Sequence, residues 1–146
     1  MKIVIGSDHA AFVMKEFVKE LLQSQKIEVI DVGTSSLDRC DYPDFASALV
    51  KVALEQNLSG ILLCGSGIGV SIVANRYKGI RAALCRSPED AKLARQHNDA
   101  NVLCLGARSN TQDEIKSIIE SWLQSKFEGG RHSDRLLKFQ NLGESC

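Results

Sequence analysis

Ile61-Leu62-Leu63-Cys64-Gly65-Ser66-Gly67-Ile68-Gly69 runs from an apolar segment straight into a thiol and a turn built on alternate glycines. A short apolar run closed by a glycine cluster reads as a buried strand and the turn that leaves it. The glycines permit a tight turn with inward amide N–H groups, and Gly67 to Arg76 can continue as a helix whose first amides face an anion. Strand, turn and helix in that order are the repeating unit of a parallel sheet covered by helices. The spacing is not that of a phosphate loop: no lysine followed by Ser or Thr comes after the glycines, and the usual dinucleotide pattern is missing. The structural alternative makes Cys64 a small buried filler beside a sharp reversal of the chain.

The same alternation extends in both directions. Residues 2–6 read as a strand, followed by a helix near 10–24 with Phe12, Phe17, Val18, Leu21 and Leu22 at apolar positions. Residues 27–32 read as strand two. Tyr42-Pro43-Asp44 opens a helix to Gln56, with Phe45, Leu49, Val52 and Ala53 on one side and Pro43 suited to its first turn. Residues 60–64 form strand three and Gly79 to Leu84 strand four. Ser87-Pro88-Glu89-Asp90 then supplies a cap, a proline and two early acids for another helix. Val102 to Leu105 is strand five, Thr111 to Lys126 a helix with Ile115, Ile118, Ile119, Leu123 and Phe127 at core spacing, and Arg131 towards Leu142 a last helix after Gly129-Gly130. The pattern predicts a Rossmann-like α/β fold, a three-layer α/β/α sandwich around a five-stranded parallel sheet. With 146 residues, one domain spanning 1–146 is expected.

Lys plus Arg and Asp plus Glu each total 18, and 44% of residues are hydrophobic. That balance argues against a basic nucleic-acid surface and an acidic disordered tail. No apolar run approaches membrane-spanning length, so a soluble protein is expected, without membrane or nucleic-acid partners. Cysteines at 40, 64, 85, 104 and 146 form no close metal-type pairs. Unpaired thiols suit a reducing compartment, and the cytoplasm is the expectation. Cys85 and Cys104 read as core residues, whereas exposure of Cys40 or Cys146 would make either an oxidation liability.

In open α/β sheets the active loops lie beyond the C-terminal strand ends. The loops assigned there are Asp8-His9, Cys64 to Gly69, His97-Asn98 and Gly106-Ala107-Arg108, a set rich in proton-transfer and anion-binding groups. His9 and His97 are too few for a zinc site and no HExxH or paired-cysteine pattern completes one, so chemistry without a metal is expected. Arg131 and Arg135, four apart, share one helix face and can grip a phosphate dianion. His132 points elsewhere on that helix and reads as peripheral. Each residue also has a structural reading: His97 a helix terminus, His9 a turn, Asp8 a cap, and Arg108, Arg131 and Arg135 surface charge.

Ile5-Gly6-Ser7-Asp8-His9-Ala10, the Cys64 to Gly69 loop, Ala74-Asn75-Arg76-Tyr77-Lys78-Gly79-Ile80-Arg81-Ala82-Ala83 and Arg95-Gln96-His97-Asn98-Asp99-Ala100-Asn101-Val102-Leu103 together resemble the type B ribose-5-phosphate isomerase family. Gly106-Ala107-Arg108 and Gly129-Gly130-Arg131-His132-Ser133-Asp134-Arg135 carry the resemblance almost to the C-terminus. It implies an aldose–ketose isomerase for ribose 5-phosphate and ribulose 5-phosphate with no cofactor, acting as a homodimer or tetramer with active sites lined by two subunits. The resemblance makes Cys64 the base and His97, helped by Asp8 and Ser66, the ring-opening group. It has Gly65, Gly67, Gly69 and Asn98 stabilise the enediolate, and His9, Arg131, Arg135 and Arg108 hold the phosphate from a site that includes the helix near 131–142, with Asn98 and Arg108 contributed across the dimer interface. Some relatives use a loop glutamate as base; here Val70 and Ser71 follow the loop, and the thiol form is expected.

The chemistry asks for the same groups. Histidine is the side chain suited to proton transfer near neutral pH, so His97 can open the ring with Asp8 orienting it. A thiol of ordinary pKa about 8.5 acts as a base where its anion is favoured, which converging amides can do, and those amides can also meet a developing oxyanion. Two alternatives remain open: an isomerase for a six-carbon sugar phosphate such as allose or galactose 6-phosphate, and a non-catalytic sugar-phosphate or nucleotide-binding regulator on the same scaffold.

Overall fold

A computed structural model describes residues 1–146. Its centre is one parallel sheet of five strands, β1 (Lys2–Ser7), β2 (Glu28–Asp31), β3 (Ser59–Cys64), β4 (Ala82–Leu84) and β5 (Val102–Gly106), in the order β2-β1-β3-β5-β4. Six helices connect and follow them: α1 (Phe12–Ser24), α2 (Tyr42–Gln56), α3 (Ile68–Ala74), α4 (Pro88–Asn98), α5 (Gln112–Gln124) and α6 (Arg131–Leu137). The result is the three-layer α/β/α sandwich expected from the alternation. No helix is long and apolar enough to cross a membrane.

Alternate residues of each strand enter two separate cores. Ile3, Ile5, Ile61, Leu63, Leu103 and Leu105 pack on the face covered by α1, α4 and α5, whereas Val4, Leu62, Cys64, Val102 and Cys104 pack on the face covered by α2 and α3. Burial on both faces explains why the middle strands are almost wholly apolar in sequence. Helix starts follow their caps. The Ser87 hydroxyl accepts from the Asp90 amide at 3.1 Å, and Thr111 and Glu114 form a reciprocal capping box at α5.

Three expectations shift. β4 starts at Ala82 instead of Gly79, because Gly79 is left-handed (φ 87) and the Arg81 amide donates to the Asn101 side chain. On α5 the fourth core position is Trp122, completing an i, i+3, i+4, i+7 set with Ile115, Ile118 and Ile119, while Leu123 and Phe127 are half-buried. Helix α6 stops at Leu137, and the tail turns back so that Glu144 pairs with Tyr77.

Lys15 is 1% exposed on an otherwise apolar stripe of α1. Its ammonium meets Asp31 and Glu16, and Asp31 also receives Lys19 at 2.8 Å and the Gly33 amide at 2.9 Å. Burial alone would raise the Asp31 carboxyl, but hydrogen bonds from Lys15, Lys19 and Gly33 outweigh it and hold the group below its ordinary value. Asp31→Asn leaves the buried Lys15 ammonium with Glu16 as its remaining carboxylate, and a loss of about 2 kcal/mol in urea unfolding at neutral pH is expected. A depressed folded pKa contributes stability above the unfolded carboxylate range and loses it as pH falls through the folded value. The wild-type advantage over Asp31→Asn should therefore shrink on acidification. Equal unfolding midpoints at pH 7 would show that the network contributes nothing.

The topology fixes where a site forms. From β1 the chain leaves to α1 on one face, and from the adjacent β3 it leaves to α3 on the other. Loops diverging to opposite faces open a crevice at the C-terminal ends of β1 and β3.

Candidate active site

A cavity of about 370 Å³ occupies that crevice and is lined by Asp8, His9, Cys64, Gly65, Ser66, Gly69 and Arg108. Asp8 is buried and caps the 3-10 turn His9–Ala11, its Oδ1 accepting from the Ala10 and Ala11 amides at 3.1 and 3.3 Å. The cap reading and the site reading thus both hold for this residue. Asp8 also fixes the direction in which His9 leaves the strand. His9 Nδ1 lies 3.2 Å from both the amide nitrogen and the carbonyl oxygen of Cys40, which ties the ring to the loop after β2.

Cys64 ends β3 with its side chain 5% exposed. The Gly67 amide donates to its Sγ at 3.1 Å, so the turn presents an N–H dipole where negative charge on sulfur would sit. Gly67 holds φ 75, and a Cβ there would lie 2.6 Å from Leu84 Cδ1 and 2.9 Å from the Leu105 carbonyl carbon. Only glycine serves this position. At Gly69 a Cβ would meet the Tyr42 ring at 2.6 Å, so its missing side chain lets Tyr42 close one wall of the cavity. The Ile68 amide donates to Ser66 Oγ at 3.2 Å. Arg108 folds over Gly65, held by its own amide donating to the Gly65 carbonyl at 2.9 Å.

The remaining predicted residues lie elsewhere. His97 and Asn98 close α4, which runs from the C-terminal end of β4 back to the start of β5, so they sit at the N-terminal edge of the sheet and not in the Cys64 crevice. Arg81, just before β4, marks that edge by donating to the Asn98 and Asp99 carbonyls at 3.1 and 2.9 Å. Gly60 pairs with Val102 and Cys64 with Gly106. The two edges are therefore four residues apart, roughly 13 Å at about 3.3 Å per residue. Grouping His97-Asn98 with the C-terminal loops fails because a loop entering a parallel strand opens at the opposite edge from one leaving it.

Arg131 and Arg135 are exposed on one side of α6, near His97. His132, expected to be peripheral, is 5% exposed and stacks on His97 with ring centroids 4.3 Å apart and planes 12° from parallel. Burial, then the charges of His97, Arg131 and Arg135, hold His132 below the ordinary histidine range, with Glu128 opposing them. Burial pushes the Cys85 thiol up to about 12 and the Cys104 thiol higher, which keeps both inert. Sequence reasoning missed Arg39 and Tyr42 in the cavity wall, and Glu128 and His132 beside His97. Position held the signal for the first two: the loop after β2 and the start of α2 lie at the C-terminal strand edge.

Comparison with known proteins places the chain in a family. A family model described as Ribose/Galactose Isomerase matches residues 3–139. The chain is 46% identical over 136 residues to the ribose-5-phosphate isomerase B of Escherichia coli, covering 92% of this chain and 91% of that protein. A ribose 5-phosphate isomerase from Thermotoga maritima superposes with a TM-score of 0.92 at 51% identity, covering 94% of this chain and 95% of that one. Ribose-5-phosphate isomerase B from Mycoplasma genitalium, solved with bound ribulose-5-phosphate, superposes with a TM-score of 0.92 at 42% identity, covering 95% and 93%. From its Cys64 crevice to its arginine-bearing last helix, the chain belongs to the ribose/galactose isomerase family of sugar-phosphate isomerases, alongside the type B ribose-5-phosphate isomerases.

Proposed function

We propose that this isomerase interconverts ribose 5-phosphate and ribulose 5-phosphate without a cofactor, in composite sites each made by two copies of the chain. The observation that carries the reading is the separation of a base-like thiol, Cys64 beneath the Gly67 amide, from a histidine and two free arginines at the other sheet edge. Neither half is sufficient for the chemistry, and one chain does not bring them together. A second copy does so if the Cys64 edge of one protomer faces the His97 edge of the other. The exposed Ile68 and Ile72 on α3 beside the loop, 43% and 60% accessible, supply an apolar contact for such a partner. A cavity of about 480 Å³ between Arg81, Ala82, Asn98, Phe139 and Leu142 supplies a recess at the other edge.

In this reading the phosphate lies between Arg131 and Arg135 of one protomer and His9 and Arg108 of the other. Asn98 supports the site across the interface. His97, helped by Asp8 and Ser66, moves the anomeric proton and protonates the ring oxygen. The Cys64 thiolate takes the proton from C2, leaving a cis-enediolate whose oxyanion is met by the amides of the Gly65 to Gly69 turn. The proton returns to C1 while the O2 proton passes to O1, so the C1 aldehyde becomes a hydroxyl, the C2 hydroxyl becomes the ketone, and no electrons leave the substrate. The bound ribulose-5-phosphate of the Mycoplasma genitalium relative supports the five-carbon substrate. The family description, which also covers galactose, favours six-carbon phosphates as the second reading.

Turnover of ribose 5-phosphate and allose 6-phosphate should be measured side by side in deuterated water. The five-carbon sugar should react faster and acquire solvent deuterium. Arg131→Ala with Arg135→Ala should raise KM at least tenfold while leaving the unfolding midpoint near wild type, because each removes charge-assisted bonds from an exposed side chain. Unchanged KM in the double variant would remove the arginines from the phosphate site. Absence of turnover on every sugar phosphate tried would move a binding-only role to first place.

A further inference from the structure

We propose that His97, Glu128 and His132 form a binding site for a divalent transition-metal ion of the zinc type, and that occupancy switches isomerisation off. Glu128 Oε2 lies 3.9 Å from His97 Nε2 and 3.8 Å from His132 Nε2, and all three ligand atoms fall within 4.8 Å of one another. These separations exceed hydrogen-bonding distance. The two Glu128 separations are wider by about half an ångström than the spacing of neighbouring ligands in a tetrahedral site with bonds of about 2.0–2.1 Å, and the pair of imidazole nitrogens, within 4.8 Å, must close further. Two imidazoles and one carboxylate are a zinc donor set that leaves a coordination position open.

Three pieces of chain hold the ligands in place. His97 is on the last turn of α4 and His132 on the first turn of α6. The Glu128 amide donates to the Gln96 carbonyl at 3.0 Å, which ties the intervening loop to α4, and the left-handed Gly129 and Gly130 turn the chain into α6. The rings must tilt apart from their 12° stack for both lone pairs to reach one ion. That motion is open to His97, whose side chain is 39% accessible, while His132 at 6% stays fixed by packing. Arg131 and Arg135 disfavour cations in general, so ligand softness selects the metal: zinc, cobalt and nickel bind, whereas magnesium and calcium, which need oxygen ligands, do not.

The switch rests on the ring-opening role proposed for His97. A metal on its Nε2 occupies the lone pair needed to accept a proton. The test titrates cobalt(II) into wild-type protein and follows visible ligand-field absorption, with zinc as competitor. One ion per chain is expected, with the same spectrum in Cys64→Ala, since the thiol is no ligand. Glu128→Gln and His132→Ala should each weaken binding at least tenfold; Glu128 is half exposed, so its variant keeps the fold. Zinc should inhibit wild-type turnover, and Glu128→Gln should raise the half-inhibitory concentration at least tenfold. Equal cobalt affinity in wild type and both ligand variants, or loss of the spectrum in Cys64→Ala, would overturn the site. Tight binding without inhibition would overturn the switch. An enzyme inactive on sugar phosphates before any metal is added would count against the proposed function, with the cobalt spectrum still deciding the site.

Discussion

Cys64→Ala is expected to lower kcat for ribose 5-phosphate by at least about 10²-fold, the usual contribution of a general base, while the protein still folds and binds substrate. The thiol is the one proton acceptor placed directly against the Gly67 amide at the end of β3. Replacing it removes the acceptor but leaves the amides of the turn, so affinity for sugar phosphate should survive with KM little changed. The structural cost is small: a single sulfur is lost from a side chain packed with Leu62, Val70 and Cys104, and one amide loses a hydrogen-bond acceptor, about 1 kcal/mol. Single-turnover kinetics alongside thermal unfolding separate the two effects. Near-wild-type turnover in the variant would mean that another group takes the C2 proton, and Asp8, buried in the same cavity, would become the first candidate.

The fold was legible because its rules are local. Apolar runs of four to six residues with glycine or a capped helix after each leave few arrangements other than a parallel sheet between two helical layers, and the edges of elements erred at β4, where Gly79 is left-handed and Asn101 takes the Arg81 amide, and at α6, whose tail turns back to Tyr77. The site was legible in halves. Asp8, His9, Cys64, Ser66 and Arg108 were readable because each follows a strand, and residues that follow parallel strands share one edge. His97 was readable as a chemically apt residue but not as a neighbour of anything, since its partners Glu128 and His132 come from a segment more than thirty residues further on. The buried Lys15 escaped for a related reason: a lysine on an apolar stripe reads as solvent-facing until the carboxylate of Asp31, on a different element, is placed over it.

Mixing two inactive variants tests most directly whether one site is made by two chains. Cys64→Ala keeps an intact His97 edge, and His97→Asn keeps an intact Cys64 edge. In a mixed dimer one of the two composite sites combines both intact halves and the other both damaged halves. After subunit exchange, verified with differently labelled protomers, half the dimers are mixed under random reassortment, so about a quarter of wild-type activity should return. If Cys64 and His97 instead served the same site from one chain, every site in every dimer would carry a damaged residue. Verified exchange with no recovered turnover of ribose 5-phosphate would therefore contradict the composite site.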